Sequence, residues 1–290
     1  MLCEASRHII KAGGKRIRPR ILFLAYQAVG GDDLSNAVPV AAAIELVHTA
    51  TLVHDDINDH GLMRRGRQTV NEIWGRTFAL LTGDYLFSKV YELMAPYEHL
   101  NRTLAEATVA LVEGETLQAA AVADDSLDRE TYQQIVARKT ASLFRASAML
   151  GAELAGADRH DVEALGEYGF FLGLAFQIVD DLLDLTGDAE HMGKSAGIDL
   201  SQGKGFGAVV THDSGNGHHL QESGGVAVAE NLDPYEEIKR RLIAGGAIEE
   251  GLQMARVLAD QACSSLEKLS QNEYVHELRS IITLVLDRDN

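Results

Sequence analysis

The stretch Leu52-Val-His-Asp-Asp-Ile-Asn-Asp59 places three carboxylates directly after an apolar run that includes Ala50 and Val53. In a helix, residues four apart share a face, so Asp55 and Asp59 point the same way. Two like charges beside an apolar wall are costly unless a cation compensates them. Because Mg²⁺ takes one or two carboxylates together with phosphate oxygens, the pair predicts a magnesium site.

The same arrangement returns far downstream as Asp180-Asp181-Leu-Leu-Asp184, again inside apolar sequence. A solvated acidic helix face explains one such cluster on an acidic protein, but it explains two embedded clusters poorly. Ligands that are all oxygen favour Mg²⁺ over zinc or copper. An EF-hand calcium loop is excluded, because its alternating oxygen ligands and twelve-residue frame are missing.

The composition favours one large helical domain. The chain has 290 residues, of which 46% are hydrophobic and only 4 are proline, as suits a helical core. A helix is predicted from about residue 35 through Asp59, and helical periodicity then returns over residues 76–96, 101–123, 129–155 and 159–186. We find no alternating strand pattern and no linker, so the sequence predicts a single all-α domain spanning 1–290.

One stretch, from about residue 187 to 232, differs from the rest of the chain. Glycine is frequent there and the apolar periodicity is lost, which predicts a long flexible loop. Helices are expected to resume near Asp233-Pro234, where proline follows an aspartate suited to capping. They continue to about Asp287, with a break at Gly245-Gly246.

The overall charge and the cysteines limit the partners and the compartment. A formal net charge of −17 argues against nucleic acid or an anionic membrane as the main partner. Cys3 and Cys263 have no metal-ligand spacing and form no disulfide framework, which favours a cytoplasmic protein. No uninterrupted apolar run reaches the roughly 20 residues that span a bilayer, so no transmembrane segment is expected.

Basic residues gather near both carboxylate clusters. They are Lys15, Arg16 and Arg18 around a turn; Arg64, Arg65 and Arg67 just past the first cluster; Lys139 with Thr140 in a helix; and Lys194 and Lys204, each after a glycine. Alone, each group is typical of a solvated turn or face, but beside Mg²⁺ these side chains are the expected partners of phosphate oxygens. Together with an apolar interior, they suit a diphosphate attached to a hydrocarbon.

Six motifs follow one another along the chain. They are Gly13-Gly-Lys-Arg-Ile-Arg-Pro19, Glu45-Leu-Val-His48, Asp55-Asp-Ile-Asn-Asp59 with Arg64-Arg-Gly66, Arg138-Lys-Thr140, Phe176-Gln-Ile-Val-Asp-Asp-Leu-Leu-Asp184, and Gly193-Lys-Ser-Ala-Gly-Ile-Asp-Leu-Ser-Gln-Gly-Lys204. As a set they resemble the trans-type polyprenyl (isoprenyl) diphosphate synthases, which include geranylgeranyl diphosphate synthases. The resemblance implies the all-α isoprenoid synthase fold, with long, mostly antiparallel helices around a central cavity, assembled as a homodimer.

The resemblance also implies a role for each matching residue. Isopentenyl diphosphate would be held by Lys15, Arg18, His48 and Arg65. The allylic diphosphate would contact Arg64, Lys139, Thr140, Gln177, Lys194 and Lys204. The Mg²⁺ ligands would be Asp55, Asp59, Asp180 and Asp184, and the catalytic set would be Asp55, Asp56, Asp59, Asp180, Asp181 and Lys139. The chain departs from the family pattern after Lys204, where Gly-Phe-Gly-Ala replaces Thr-Leu-Pro.

The implied reaction is a Mg²⁺-dependent head-to-tail condensation. The allylic diphosphate ionises, the double bond of isopentenyl diphosphate attacks the carbocation, and a proton is lost. Product length would depend on the residues below the first carboxylates: Ala50, with Thr51 beside it and Val47 deeper. A bulky aromatic at Ala50 would stop the growing chain early. Because alanine leaves room, products of at least geranylgeranyl length are expected.

Two other functions remain open. A terpene cyclase shares the fold and one aspartate motif but needs no isopentenyl site, so Lys15, Arg18 and His48 argue against it. A non-catalytic or regulatory subunit of a heteromeric prenyl synthase would typically lose aspartates, whereas this chain keeps all six. Activity of the purified chain alone separates the subunit from the synthase.

Overall fold

The computed structural model describes residues 1–186, 203–213 and 234–287, and the part it describes is an all-α fold, as predicted. The helices are α1 (Leu2–Ile10), α2 (Ile17–Ala28), α3 (Leu34–Asn58), α4 (Val70–Trp74), α5 (Arg76–Met94), α6 (Asn101–Ala123), α7 (Arg129–Val136), α8 (Ser142–Leu154), α9 (Arg159–Thr186), α10 (Gly205–Asp213), α11 (Pro234–Ala244), α12 (Ala247–Glu267) and α13 (Glu273–Leu286). A short 3₁₀ turn (Glu98–Leu100) precedes α6.

The arginine-containing turn after α3 forms a small antiparallel hairpin of two strands, β1 (Met63–Arg64) and β2 (Arg67–Gln68). Arg65 lies in its turn with a left-handed φ of 52°. The hairpin therefore fixes the backbone of a turn that the sequence predicts only as a loop.

The two longest helices, α3 and α9, form the core of the fold. The Asp33 carboxylate caps α3 by accepting a hydrogen bond from the Ser35 backbone N–H at 2.9 Å, which satisfies a donor at the helix start. α3 packs against α5 and α2, whereas α9 packs against α12 and α8. The first aspartate motif lies at the C-terminal end of α3, and the second lies at the C-terminal end of α9.

α3 and α9 are also long and apolar enough to cross a membrane, by length and composition alone. About half of each apolar window, 50% and 56%, is buried inside the protein. Core helices of water-soluble proteins meet the same criterion, so this is weak support for a membrane span. The sequence has no long uninterrupted apolar run, so we did not expect any helix to meet this length and composition criterion.

Large side chains join α9 to its neighbours. Tyr168, Phe144 and Phe206 are the largest of the fully buried side chains in the described part of the chain. The Tyr168 hydroxyl donates a hydrogen bond to the Leu278 carbonyl oxygen of α13 at 2.8 Å. Phe144 of α8 packs against Phe176 of α9, with ring centroids 5.1 Å apart.

The predicted continuous helix over 129–155 is interrupted by a π-helical turn, Ala137–Ala141, between α7 and α8. This turn contains Lys139 and Thr140. Two glycines leave space for it: a Cβ at Gly114 of α6 would lie 2.7 Å from the Lys139 backbone nitrogen, and a Cβ at Gly173 of α9 would lie 2.7 Å from the Ala141 Cα. π turns occur frequently at functional sites, and periodicity does not detect a single inserted residue.

The prediction of one flexible loop from about 187 to 232 is wrong for part of that range, because α10 lies within it. Phe206 and Val209 of α10 are fully buried and belong to the apolar cluster that contains Leu182 and Leu185 of α9. Gly207 permits this approach, since a Cβ there would lie 2.7 Å from a Leu185 methyl carbon. The remainder of the predicted loop lies outside the described residues.

Gly114→Ala should destabilise the protein by about 1–3 kcal/mol, because the new methyl group meets backbone atoms of the π turn. A urea titration followed by circular dichroism measures the change. Thr116→Ala, at an exposed position of the same helix, is the control and should have little effect. If Gly114→Ala were more stable than wild type by about 1 kcal/mol, the gain expected from helix propensity alone, the close contact would be refuted.

Candidate active site

The ends of α3 and α9 meet at a cavity of about 90 Å³. Its lining combines carboxylates, lysines and hydrogen-bonding side chains. The residues are Asp59, Gln118, Leu127, Tyr132, Ile135, Val136, Lys139, Thr140, Gln177, Asp181, Lys204 and Gly205. Six residues that the sequence assigned to metal or diphosphate binding or to catalysis are therefore neighbours in space.

The first motif presents Asp55 and Asp59 to this region. Burial raises the pKa of Asp55 to about 7, an effect opposed by the nearby Lys139 ammonium and strengthened by Glu115. The Asp59 carboxylate forms an ion pair with Lys204, with Oδ1 and Nζ 2.5 Å apart. The lysines thus supply part of the positive charge that the two carboxylates require.

Asp56 points elsewhere and is only 2% exposed. Its Oδ1 accepts a hydrogen bond from Arg64 Nε at 2.7 Å. This contact fixes the hairpin that carries Arg64 and Arg65 to the end of α3. Asp56 therefore positions an arginine in the structure, although the sequence groups it with the catalytic residues.

Two polar residues of α6 hold Lys139 in place. Its ammonium group lies 2.7 Å from Glu115 Oε1 and donates a hydrogen bond to Gln118 Oε1 at 2.9 Å. Burial lowers the pKa of Lys139, but the fields of Asp55 and Glu115 outweigh burial, and the net shift is upward. Lys139 is consequently a cation at neutral pH beside the first motif.

The three carboxylates of the second motif have different environments. Asp180 is exposed, whereas Asp181 and Asp184 are only 6% and 3% exposed. Burial lowers the pKa of Arg18, and the charges of Glu45 and Asp180 oppose that shift, so Asp180 lies close enough to act on the basic residues of α2. Only Asp180 of this motif is open to solvent.

Asp181 accepts hydrogen bonds from Tyr132, Gln177 and the Phe206 backbone, among the described residues. Tyr132 Oη donates to its Oδ2 at 2.7 Å, and the Phe206 backbone N–H donates to the same oxygen at 2.9 Å. Gln177 Nε2 donates to its Oδ1 at 2.8 Å. Thr140 Oγ1 in turn donates to Gln177 Oε1 at 2.8 Å, so one network joins the π turn, α7, α9 and α10.

A patch of basic residues adjoins the carboxylates at the start of α2. Arg16, with a left-handed φ of 49°, forms an ion pair with Glu45 of α3 and donates to the Ile10 carbonyl oxygen at 2.7 Å. Arg65 reaches across from the hairpin and donates to the Gly13 carbonyl oxygen. Its guanidinium group occupies the space that a Cβ at Gly14 would need, which explains the second glycine of this motif.

Arg18 and His48 lie in the same patch. The Arg18 guanidinium carbon is 4.7 Å from the centre of the Phe144 ring, a cation–π arrangement. Burial lowers the pKa of Arg18 to about 10, so it remains charged at neutral pH. Burial, followed by the charges of Arg18 and Arg65, holds the pKa of His48 well below its usual range. His48 is therefore neutral and can donate a hydrogen bond to an anion.

Comparison with known proteins identifies the family of this chain. A sequence model of the family described as polyprenyl synthetase matches residues 1–222. The chain belongs to the polyprenyl synthetase family. It is accordingly a prenyltransferase of isoprenoid biosynthesis, and the predicted family and fold are confirmed.

Several relatives match this chain over nearly its whole length. Octaprenyl diphosphate synthase of Escherichia coli K12 is 34% identical over 308 residues, covering 100% of this chain and 90% of that protein. Geranylgeranyl pyrophosphate synthase of Geoglobus acetivorans is 36% identical over 297 residues, covering 100% and 91%. A polyprenyl synthase from Caulobacter crescentus CB15, solved with calcium and isoprenyl diphosphate, superposes with a TM-score of 0.90 at 33% identity, covering 98% and 88%.

The remaining predicted site residues have varied positions. Lys15 is exposed in the turn before α2, and Lys194 lies outside the described residues. Ala50 is fully buried in an apolar cluster with residues of α1, α4 and α5, whereas Val47 belongs to a separate cluster with residues of α6 and α8. Thr51 is half-buried and its hydroxyl donates to the His48 carbonyl oxygen at 2.8 Å.

In the described part of the chain, the carboxylates of the two aspartate motifs do not gather into a compact metal cage. Among the described residues, the one group of three or more ligating side chains with all ligand atoms within 4.8 Å is Asp158, His160 and Asp161, near the start of α9. It lies roughly 28 Å along the helix from Asp180, and Asp158 there accepts a hydrogen bond from the Asp161 N–H as a helix cap. A spread set of carboxylates suits Mg²⁺, which usually completes its shell with water and phosphate oxygens.

Sequence reasoning missed several residues that position the site. Glu115 and Gln118 hold Lys139, Tyr132 donates to Asp181, and Phe144 underlies Arg18. Glu45 belongs to one of the six motifs, but its pairing with Arg16 was not predicted. Glu115 and Gln118 are three apart on a helix facing the core, a spacing that signals a shared polar contact. The other three act through partners that are distant in sequence, and local spacing does not identify such partners.

The raised pKa of Asp55 predicts how the stability of the metal-free protein depends on pH. Between the unfolded pKa near 4 and the folded value of about 7, the folded state binds the extra proton, so stability falls as pH rises and the penalty is complete above pH 7. Asp55→Asn removes this penalty. In EDTA, its melting temperature relative to wild type should rise between pH 5 and pH 8; a constant difference would contradict the raised pKa.

Proposed function

We propose that the chain is a polyprenyl diphosphate synthase that condenses isopentenyl diphosphate head-to-tail with an allylic diphosphate, in a Mg²⁺-dependent reaction. The observation that carries this proposal is the meeting of two aspartate motifs and two lysines at one cavity, beside a separate patch of arginines and a neutral histidine. A carboxylate region and a cationic region side by side suit two diphosphate substrates, one bound through metal and one bound directly.

The basic patch is the proposed site for isopentenyl diphosphate. Lys15, Arg18, His48 and Arg65 supply cations and a neutral donor. Mutual repulsion within the patch is part of what lowers the pKa of Arg65, after burial, so an anion there would be strongly favoured. Arginine's planar fork matches phosphate oxygens in a bidentate manner.

The allylic diphosphate would lie at the carboxylate cavity, within reach of Lys139, Lys204 and Arg64. Mg²⁺ would be held by Asp55, Asp59 and the exposed Asp180, whereas the buried Asp184 would support them from behind. These oxygen donors fit a hard divalent cation. The Caulobacter relative was solved with calcium, which is a cation of this kind. When bound, the metal would supply electrostatic stabilisation of the negative charge on the leaving diphosphate.

The residues of the chain would contribute orientation and charge. Lys139, fixed by Glu115 and Gln118, would hold the leaving diphosphate by charge and hydrogen bonding as the bond to the allylic carbon breaks. The basic patch would keep isopentenyl diphosphate oriented with its double bond toward that carbon. The new bond forms between the two hydrocarbons, and a proton then leaves the product, taken up by the released diphosphate.

We propose products of geranylgeranyl length or longer, in the cytoplasm, made by a homodimer. Ala50 is small, and the named relatives make both octaprenyl and geranylgeranyl products. Exposed apolar side chains on α5 and α6 offer a surface for a second copy: Leu80, Leu81, Tyr91, Val109 and Val112. Exposed apolar side chains of this kind are typical of an interface where they adjoin one another.

Activity of the purified chain with isopentenyl diphosphate, an allylic primer and Mg²⁺ tests the proposed function. Asp55→Asn should reduce kcat by roughly 100-fold or more, in line with the loss of a group that stabilises transition-state charge. Asp158→Asn, at the remote cap of α9, is the matched control and should retain wild-type activity. An inactive wild-type chain that condenses substrates only after a partner is added would instead favour the regulatory subunit.

Ala50→Phe tests product length. The larger side chain should shift products toward farnesyl length, as read by chromatography of the dephosphorylated products. Ala148→Phe, an equally buried alanine in another apolar cluster, controls for overpacking and should lower stability, by about 1–3 kcal/mol, without changing product length. Unchanged products from Ala50→Phe would show that Ala50 does not line the growing chain.

A further inference from the structure

The hydrogen bonds of Asp181 connect it to both lysines of the active-site cavity. On one side, Asp181 Oδ1 accepts a hydrogen bond from the Gln177 amide. Gln177 in turn accepts a hydrogen bond from the hydroxyl of Thr140, the residue next to Lys139. On the other side, Asp181 Oδ2 accepts a hydrogen bond from the backbone N–H of Phe206, two residues after Lys204. Lys139 and Lys204 come from separate parts of the chain. The buried Asp181 carboxylate is bonded to the segments that carry both of them.

The surroundings of Asp181 make these connections stiff. The carboxylate is 6% exposed, and the Tyr132 hydroxyl that shares Oδ2 belongs to a side chain that is only 4% exposed. The Tyr132 and Phe206 rings also pack together, with centroids 6.0 Å apart. A buried network with its donors satisfied rigidifies the elements that it joins.

We propose that Asp181 is a positioning residue that docks the N-terminal end of α10 and thereby sets the placement of Lys204 and Lys139 at the allylic diphosphate site. The role is separate from metal ligation: both oxygens of Asp181 receive protein donors, whereas its neighbour Asp180 is exposed. The second aspartate motif thus divides its work between one outward carboxylate and one inward carboxylate. The kinetic part of this inference rests on the proposed function; the docking part does not.

An uncharged isostere separates docking from charge. In Asp181→Asn, the side-chain oxygen can accept from Tyr132 and Phe206, while its NH₂ donates to a flipped Gln177 amide, whose own NH₂ donates to Thr140 Oγ1. Docking is therefore kept and the negative charge is lost. In Asp181→Ala both are lost, and the Tyr132 hydroxyl and Phe206 N–H lose a buried acceptor, which is costly.

Hydrogen–deuterium exchange of α10, measured on the full chain, reports docking directly. Asp181→Ala should accelerate exchange in α10, and Asp181→Asn should restore protection. Tyr132→Phe removes one donor and keeps the carboxylate, so it should give a smaller acceleration and remains informative if Asp181→Ala does not fold. Tyr168→Phe is the matched control, since it removes a hydroxyl of similar burial that bonds to Leu278; it should leave exchange in α10 unchanged.

Kinetics with the two substrates report the placement of the lysines. Asp181→Ala should raise KM for the allylic substrate about tenfold and lower kcat roughly 100-fold, with KM for isopentenyl diphosphate unchanged, and Asp181→Asn should recover most of both losses. Equal losses in Asp181→Asn and Asp181→Ala, with α10 still protected in the former, would overturn the proposal in favour of a charge role. Unchanged exchange in Asp181→Ala would also overturn it. An inactive wild type would refute the proposed function alone, because exchange still tests docking.

Discussion

The structure depends on the compensation of negative charge at the C-terminal ends of two core helices. A helix end of this kind already carries partial negative charge from its unpaired carbonyl groups, and α3 and α9 each add carboxylates there. Like charges close together repel appreciably even at an intermediate dielectric, and Glu115 and Asp59 both help to raise the pKa of Asp55. Lys139, Lys204 and Arg64 provide part of the compensation. The pKa of Asp55, about 7, shows that repulsion and burial are incompletely offset in the protein alone.

The basic patch has the opposite excess. Arg16, Arg18 and Arg65 lie around His48, and after burial their charges help to lower the pKa of that histidine. Glu45 offsets only part of their charge by pairing with Arg16. The two neighbouring regions have unbalanced charge of opposite sign. Together they favour ligands that bring both anions and cations. Diphosphates accompanied by divalent metal, the proposed ligands, would satisfy both regions at once.

Much of this could be predicted from sequence, for reasons that are local. Helices α3, α6 and α9 follow from apolar periodicity and, for α3, from a cap such as Asp33. The aspartates and the basic residues of the site can be identified directly in the motifs. The difference between Asp180 and Asp181 could not be predicted, because it depends on Tyr132 and on α10, which are distant in sequence. The pairing of Asp56 with Arg64 needed the hairpin geometry. The position of Ala50 below the carboxylates was predicted from its place in the sequence before Asp55. Its neighbours in the structure, which come from α1, α4 and α5, could not be predicted in that way.

The π turn has a consequence for how this chain tolerates change in length. One additional residue between α7 and α8 rotates the two halves by about 100° relative to a continuous α-helix. That offset lets α8 keep its apolar side in the core while Lys139 faces the cavity. Deleting one residue from the turn would make the helix regular, and either the lysine or the packing of α8 would then face the wrong direction. The direction of the Lys139 side chain and the packing of α8 therefore both depend on the number of residues in this turn.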